Sequence, residues 1–270
     1  MKLKTSLICL ICLVIMGSLT VMAEAEEMKI VTLVEPPANF LDENNQPTGI
    51  TVDFVREIQK RVGNNDPIKI KPWKRAYNMA LRQPNVVIFT ASRTKAREDL
   101  FHWISLSTVR RWTFFAKKGS GYDFDNLNQL KSVSGIGVMR GNIRESFLRD
   151  RGFNNIQLTN EHLQNLKKLL VGRIDLMFNS DLGMASICKD EGLDFNAVIE
   201  PVFDAKVSRS WIMISKKTSP EIVAKWRKAA EEIKADGTFK RLSQKWVKHI
   251  EKEYGAKTEV KNGAFYYWKE

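Results

Sequence analysis

Short apolar runs alternate with stretches of helical periodicity along almost the whole chain. Lys29-Ile-Val-Thr-Leu-Val34 is a strand candidate. Thr51 to Val62 places apolar residues at Val52, Val55, Ile58 and Val62, the spacing of one helix face. Ile68 to Lys71 is a second strand, Trp73 to Leu81 a helix and Val86 to Phe89 a third strand. The order βαβαβ predicts a parallel sheet covered by helices.

The pattern then changes. Arg111 to Lys117 is an extended run, followed by the flexible break Lys118-Gly119-Ser120-Gly121. Beyond it the alternation restarts. Strands are expected at Gly135 to Met139, Ile156 to Leu158 and Ile174 to Phe178, and helices at Asn142 to Arg151, Glu161 to Leu170 and Leu182 to Asp190. Ser210 to Ser215 is one more strand. Ser219-Pro220-Glu221 opens a long helix with cap, first-turn proline and acid in order, and Asp236-Gly237 ends it. A last helix is expected over Thr238 to Val247. The polar tail after Glu251 ends in Phe265-Tyr-Tyr-Trp268, too apolar to stay in water, so it should pack back on the body. The fold class is α/β with two lobes, the chain crossing between them at about 112–118 and 207–213. Two sheet edges facing each other make a cleft, because ligands in open α/β sheets sit beyond the carboxyl ends of the strands.

The first residues change the picture of where the protein works. Lys2 and Lys4 precede an apolar run from Leu7 to Met16, and Val21-Met22-Ala23 and Ala23-Glu24-Ala25 offer small residues for cleavage. This is the layout of a secretory signal peptide over 1–23 and implies a periplasmic product. The run is short for a membrane span and contains no lipoprotein-type cysteine at its end. Processing would leave one cysteine, Cys188, read as a structural thiol in a helix. With 43 Lys and Arg against 31 Asp and Glu the net charge is +12, or +10 once Lys2 and Lys4 are removed. The basic residues are dispersed, with no block of five, so a solvated surface is favoured over a nucleic-acid face.

Few chemical motifs survive inspection. His102, His162 and His249 are far apart and carry no metal-ligand spacing, so no metal or cofactor is expected. Gly135-Ile-Gly137-Val-Met-Arg-Gly141 is one residue too long for a dinucleotide loop. Ser92-Arg-Thr-Lys95 matches S-x-x-K, but its companion motifs are missing and no G-x-S-x-G occurs. The arginines say more. Thr90, Ser92, Thr94 and Arg97 follow directly on the strand ending at Phe89. Their hydroxyls and a guanidinium fork suit a carboxylate. Gly141-Asn142 opens a helix whose free N–H groups would face it across the cleft. The same residues would also serve as ordinary caps on a surface turn.

Four pieces in order extend the reading: Pro47-Thr-Gly49-Ile-Thr-Val-Asp53-Phe, Ser92-x-Thr94-x-x-Arg97-Glu, Leu169-Leu-Val-Gly172-Arg-Ile-Asp175, and Lys234-Ala-Asp236-Gly237-Thr238 with Trp246. In these the chain from about Ile30 to Val247 resembles the bacterial extracellular solute-binding proteins of family 3, the periplasmic amino-acid-binding type. The resemblance implies a type II periplasmic-binding fold, the first lobe being completed by the chain returning near Trp211. It also implies delivery of a solute to an inner-membrane ABC permease. Position by position, Arg97 matches the family's carboxylate-clamping arginine, Thr90 and Ser92 its helpers, and Gly141 and Asn142 the second-lobe turn. Where relatives often place an amine-binding aspartate stands Ser180, with Asp181 next to it. Where relatives often place apolar walls stand Glu35 and Arg75, the latter in Trp73-Lys-Arg-Ala76. Either Glu35 and Arg75 meet polar ligand groups or each other, or Arg75 points to water and only Trp73 lines the cleft.

The expectation is therefore a monomeric binding protein for a small polar or anionic, carboxylate-bearing solute. It comprises lobe 1 (24–112 plus 211–250), lobe 2 (118–207) and a C-terminal extension (251–270). A sensor or adaptor of the same fold is the alternative, and a dehydratase-like enzyme using Glu35 as acid or base is a lesser one.

Overall fold

The computed structural model describes residues 27–269; the leader expected over 1–23 lies outside them. The first half of the chain builds β1 (Lys29–Thr32), a small hairpin of β2 (Phe40–Leu41) and β3 (Pro47–Thr48), α1 (Ile50–Val62), β4 (Ile68–Ile70), α2 (Trp73–Arg82) and β5 (Val86–Ser92). β1 lies between β4 and β5, parallel to both. α1 forms because its apolar positions share one face, and Val52, Phe54, Val55 and Ile58 are fully buried. It starts at Gly49, held at φ 129°, where an added Cβ would stand 2.3 Å from the Ala38 carbonyl oxygen. Only glycine fits that approach.

Next comes β6 (Phe101–Lys117), then β7 (Ile136–Met139), α3 (Ile143–Arg149), β8 (Ile156–Thr159), α4 (His162–Leu170), β9 (Leu176–Ser180), α5 (Asp181–Asp190) and the single turn α6 (Phe195–Val198). β10 (Ile199–Ser215) returns, followed by α7 (Pro220–Ala235), α8 (Thr238–Tyr254), β11 (Glu259–Lys261) and β12 (Ala264–Tyr266). The strands join in the order β4-β1-β5-β10-β6-β9-β7-β8.

The two long strands, 17 residues each, carry the architecture. They pair antiparallel along their whole length. At one end β10 pairs with β5 through Ser210–Ile214; at the other β6 pairs with β9 through Trp112–Ala116. The change of lobe thus falls near Val109–Arg111 and Val207–Arg209, which pair with one another. The first crossing comes earlier than the 112–118 read from the sequence. Gly119 and Gly121 are exposed in the loop beyond β6, where Gly119 N donates to Glu200 Oε1 at 3.1 Å, so they stand away from the crossing.

Each lobe has core on both faces of its half-sheet. In lobe 1, α1, α7 and α8 pack on one face, and Ala76 and Ala80 of α2 pack on the other with Val31, Val86 and Ile88. In lobe 2, Phe114, Val138, Phe147 and Phe178 form one cluster, while Leu166, Leu169, Met177 and Cys188 form the other. Burial pushes the Cys188 thiol up to about 11, away from thiolate reactivity. The tail docks as a hairpin: β12 runs parallel to β6 through Phe265↔Thr108 and Tyr266↔Val109, and Phe265 and Tyr267 are buried.

Three of the four recurrent sequence pieces have structural duties. Asp53 of α1 accepts a hydrogen bond from Trp246 Nε1 of α8 at 2.7 Å. Asp175 accepts from Gly135 N at 2.9 Å and anchors the entry to β7. Asp236 accepts from Thr238 N at 2.9 Å and pairs with Arg61, joining α7, α8 and α1.

Candidate functional site

The carboxyl ends of β1, β5 and β7 converge between the lobes. There a cavity of about 30 Å³, room for one or two waters, is lined by Leu33, Glu35, Trp73, Thr90, Ser92, Arg97, Arg110, Asn142, Ile143 and Arg144. Of the residues named from the sequence, Glu35, Trp73, Thr90, Ser92, Arg97 and Asn142 meet here. A larger hollow of about 550 Å³ lies on the outer side of lobe 1 beside Arg56, Lys60 and Asn64. It is away from the strand ends.

Arg97 sits in the 3-10 turn after β5. Its Nη1 donates to the Ser92 carbonyl at 3.2 Å, and its guanidinium lies over the rings of Trp73 and Tyr77 at 5.2 and 5.0 Å. Burial lowers its pKa, and no carboxylate partners it among the described residues. Thr90 holds a positive φ of 62°, a strained position for a β-branched residue, and its hydroxyl donates to Asn39 Oδ1. Ser92 Oγ lies 3.4 Å from Ser208 Oγ, on the crossing strand.

Glu35 closes the cavity from the other side. Its turn is fixed by Glu35 N donating to the Asn39 carbonyl at 2.8 Å. Its Oε1 accepts from Arg110 Nη1 at 2.6 Å and from Arg144 Nη2 at 2.9 Å. All three side chains are at most 6 % exposed. Arg110 lies on β6 at the crossing and Arg144 in α3 of lobe 2, so one carboxylate ties lobe 1 to lobe 2. Burial raises the Glu35 pKa and the two arginines lower it; the arginines win and the group is ionised. Arg144 is pushed down to about 10 by burial, still protonated at neutral pH. His162 Nε2 stands 4.0 Å from Glu35 Oε2, and burial, reinforced by the arginines, pushes this imidazole down to about 4.

The other expected residues fall elsewhere. Arg75 is exposed, because it precedes Ala76 on α2 and Ala76 with Ala80 marks the buried face; about 100° of helical rotation turns it to solvent. The Glu35–Arg75 pair is therefore replaced by Glu35 with Arg110 and Arg144. Gly141 is exposed at φ 70° and its N–H donates to Glu145 Oε2 at 2.7 Å. Asn142 Oδ1 accepts from Arg144 N at 3.0 Å. The N–H groups of Gly141 and Arg144 are thus taken, and the start of α3 brings the side chains of Asn142, Ile143 and Arg144 to the cavity. Ser180 is buried behind the cavity, its Oγ without a partner. Asp181 lies 3.8 Å from Arg111 and is pushed up to about 6 by burial. Neither lines the cavity. Arg110 and Arg144 were not singled out from the sequence; a charge beside Arg111 in a strand, and one at the second position of a helix, both read as solvated in one dimension.

Residues 28–249 match the family described as bacterial extracellular solute-binding proteins, family 3. The chain belongs to that family. Among curated members, the L-cystine-binding protein TcyA of Bacillus subtilis is 24% identical over 213 residues, 78% of this chain and 77% of that protein. Among solved structures, a histidine kinase sensor domain with similarity to periplasmic binding proteins superposes with a TM-score of 0.72 at 18% identity, covering 82% of this chain and 96% of that one. An ancestral arginine-binding protein bound to arginine gives 0.68 at 22% identity, covering 81% and 97%. This family 3 member has the two-lobed type II periplasmic-binding fold. The family match stops at residue 249, so the β11–β12 hairpin at the crossing lies beyond it.

Proposed function

We propose that this protein is a periplasmic solute-binding protein. It captures a small carboxylate-bearing solute of the amino-acid type between its lobes and presents it, as a monomer, to an inner-membrane ABC importer. One observation carries this reading: Arg97 stands in the interlobe cavity with no carboxylate partner among the described residues, with Thr90 and Ser92 beside it and Asn142 and Arg144 on the opposite lobe. Family membership and a relative that binds L-cystine support the solute class. The cavity is smaller than any amino acid, so capture requires the lobes to part and close again, a hinge motion about the two crossings. The solute is released unchanged.

The test is a thermal-shift screen of the processed protein against amino acids, organic acids and polyamines. A ligand at 100 times its Kd adds about 2.7 kcal/mol and raises Tm. Arg97→Lys keeps the charge and loses the planar fork, so carboxylate affinity should fall at least about tenfold, the scale of one charge-assisted hydrogen bond. Unchanged affinity would remove Arg97 from the site.

A further inference from the structure

We propose that the solute is a net dianion without an ammonium group, one anionic group meeting Arg97 and the other the Arg110–Arg144 pair. This rests on the clamp reading above and narrows it to a dianionic class.

Charge must balance in the narrow space between the lobes. Four charged side chains line the cavity: Arg97, Arg110 and Arg144 against Glu35. His162, behind Glu35, is neutral at pH 7. The lining therefore holds a surplus of two positive charges. Arg110 and Arg144 are buried and Arg97 is half-buried; a buried charge without a partner is strongly unfavourable, and guanidinium groups keep their protons. Glu35 compensates only one arginine, although two share its Oε1. The Nε atoms of Arg110 and Arg144 are buried and make no hydrogen bond. Arg97 meets a backbone carbonyl, two aromatic faces and the Tyr77 hydroxyl, and no carboxylate among the described residues.

A solute with two carboxylates and no ammonium group brings the lining to neutrality. Its first carboxylate meets the Arg97 fork. Its second reaches the donors that Arg110 and Arg144 leave free. A zwitterionic amino acid leaves the surplus at two, and a cationic one raises it to three. For an ammonium group the one carboxylate oxygen left in the lining is Glu35 Oε2, 4.0 Å from His162 Nε2, because Oε1 is taken twice and Asp181 lies outside the cavity.

Isothermal calorimetry on the processed protein tests this with a fixed panel: L-glutamate against L-glutamine, then succinate, glutarate, 2-oxoglutarate, L-cystine and L-arginine. The expected result is that at least one dianion binds, and that the tightest dianion exceeds L-glutamine, L-cystine and L-arginine about 100-fold. Arg144→Gln should bring that ratio close to one, with Arg110→Gln as the second variant if the first does not fold. The proposal is overturned if L-glutamate, a neutral zwitterion or L-arginine is the tightest ligand, or if a folded variant leaves the ratio unchanged. If L-cystine or another zwitterion wins and its binding is lost in Arg97→Lys, the clamp stands and only the dianionic class falls. If no member of the panel and no carboxylate of the wider screen binds, both fall.

Discussion

Glu35→Gln is the sharpest perturbation of the cleft. The substitution keeps the shape and one carbonyl acceptor and deletes a single negative charge. In the native protein that charge takes 2.6 and 2.9 Å hydrogen bonds from Arg110 and Arg144 across the lobe boundary. A carboxamide oxygen at the Oε1 position takes both bonds only as a neutral acceptor, and the NH2 group then stands in the place of Oε2, towards His162. Removing one partner of a buried ion pair costs about 3–5 kcal/mol. Two hydrogen bonds to charged groups, at about 1.5–3 kcal/mol each, give the same range. Parting the lobes returns both arginines to water, so the loss falls on the closed arrangement and not on either lobe. The closed-to-open ratio should drop by roughly 10²- to 10⁴-fold. Small-angle scattering of the ligand-free protein reads this as a larger radius of gyration for the variant. Urea unfolding should move by less than about 1 kcal/mol, within the range of an ordinary surface change. Superimposable scattering curves for variant and native protein would refute the reasoning, because the pair would then contribute nothing to closure.

Three further outcomes concern His162, the tail hairpin and the leader. His162 has a folded pKa of about 4, below its ordinary value, so the unfolded chain binds more protons between about pH 6.5 and 4. Its contribution is complete above pH 6.5 and is lost as the pH falls towards 4, by about 1.4 kcal/mol per unit at most. His162→Gln should flatten urea-derived stability across that window. Phe265→Ala removes a fully buried ring from the lobe 1 core and should cost about 3–5 kcal/mol in urea unfolding; a loss under 1 kcal/mol would mean the tail hairpin is detached in solution. N-terminal sequencing of the secreted protein should begin at Glu24 or Glu26, and an intact Met1 would reject the leader.

The regular parts of the fold were legible because their burial is periodic. Val52, Val55 and Ile58 in α1, and the short runs of β1, β5 and β7, announce themselves by spacing. β6 did not. Its first ten residues are almost wholly buried on both faces and include Ser105, Ser107, Thr108 and Arg110, so neither alternation nor an apolar run marks them. The first crossing was placed late for the same reason. At the site, Arg97, Thr90 and Ser92 could be located because they follow a strand directly. The Glu35 triad could not: its members are separated by 75 and 109 positions, and only the closure of the lobes brings them together. Arg75 faces water, the second of the two readings open to it from the sequence, because it precedes the buried face of α2 by one residue.

The course of the two long strands also dictates the order in which the molecule can be completed. Lobe 2 is made from one continuous stretch between the middle of β6 and the middle of β10. Lobe 1 uses both ends of the chain. All seven residues of β5 are buried, and its neighbour on one side is β10, whose Ser210 pairs with Ser92. During synthesis from the N-terminus, β5 is an apolar strand with an open edge until residues beyond 210 arrive, the kind of edge that pairs with the wrong strand. Loop closure over so long a stretch is slow, so lobe 2 is poised to fold first and lobe 1 to close last. The step most exposed to aggregation is therefore the joining of β10 to β5, and a holding chaperone would serve this chain best by covering Val86–Phe89 until its C-terminal third has emerged.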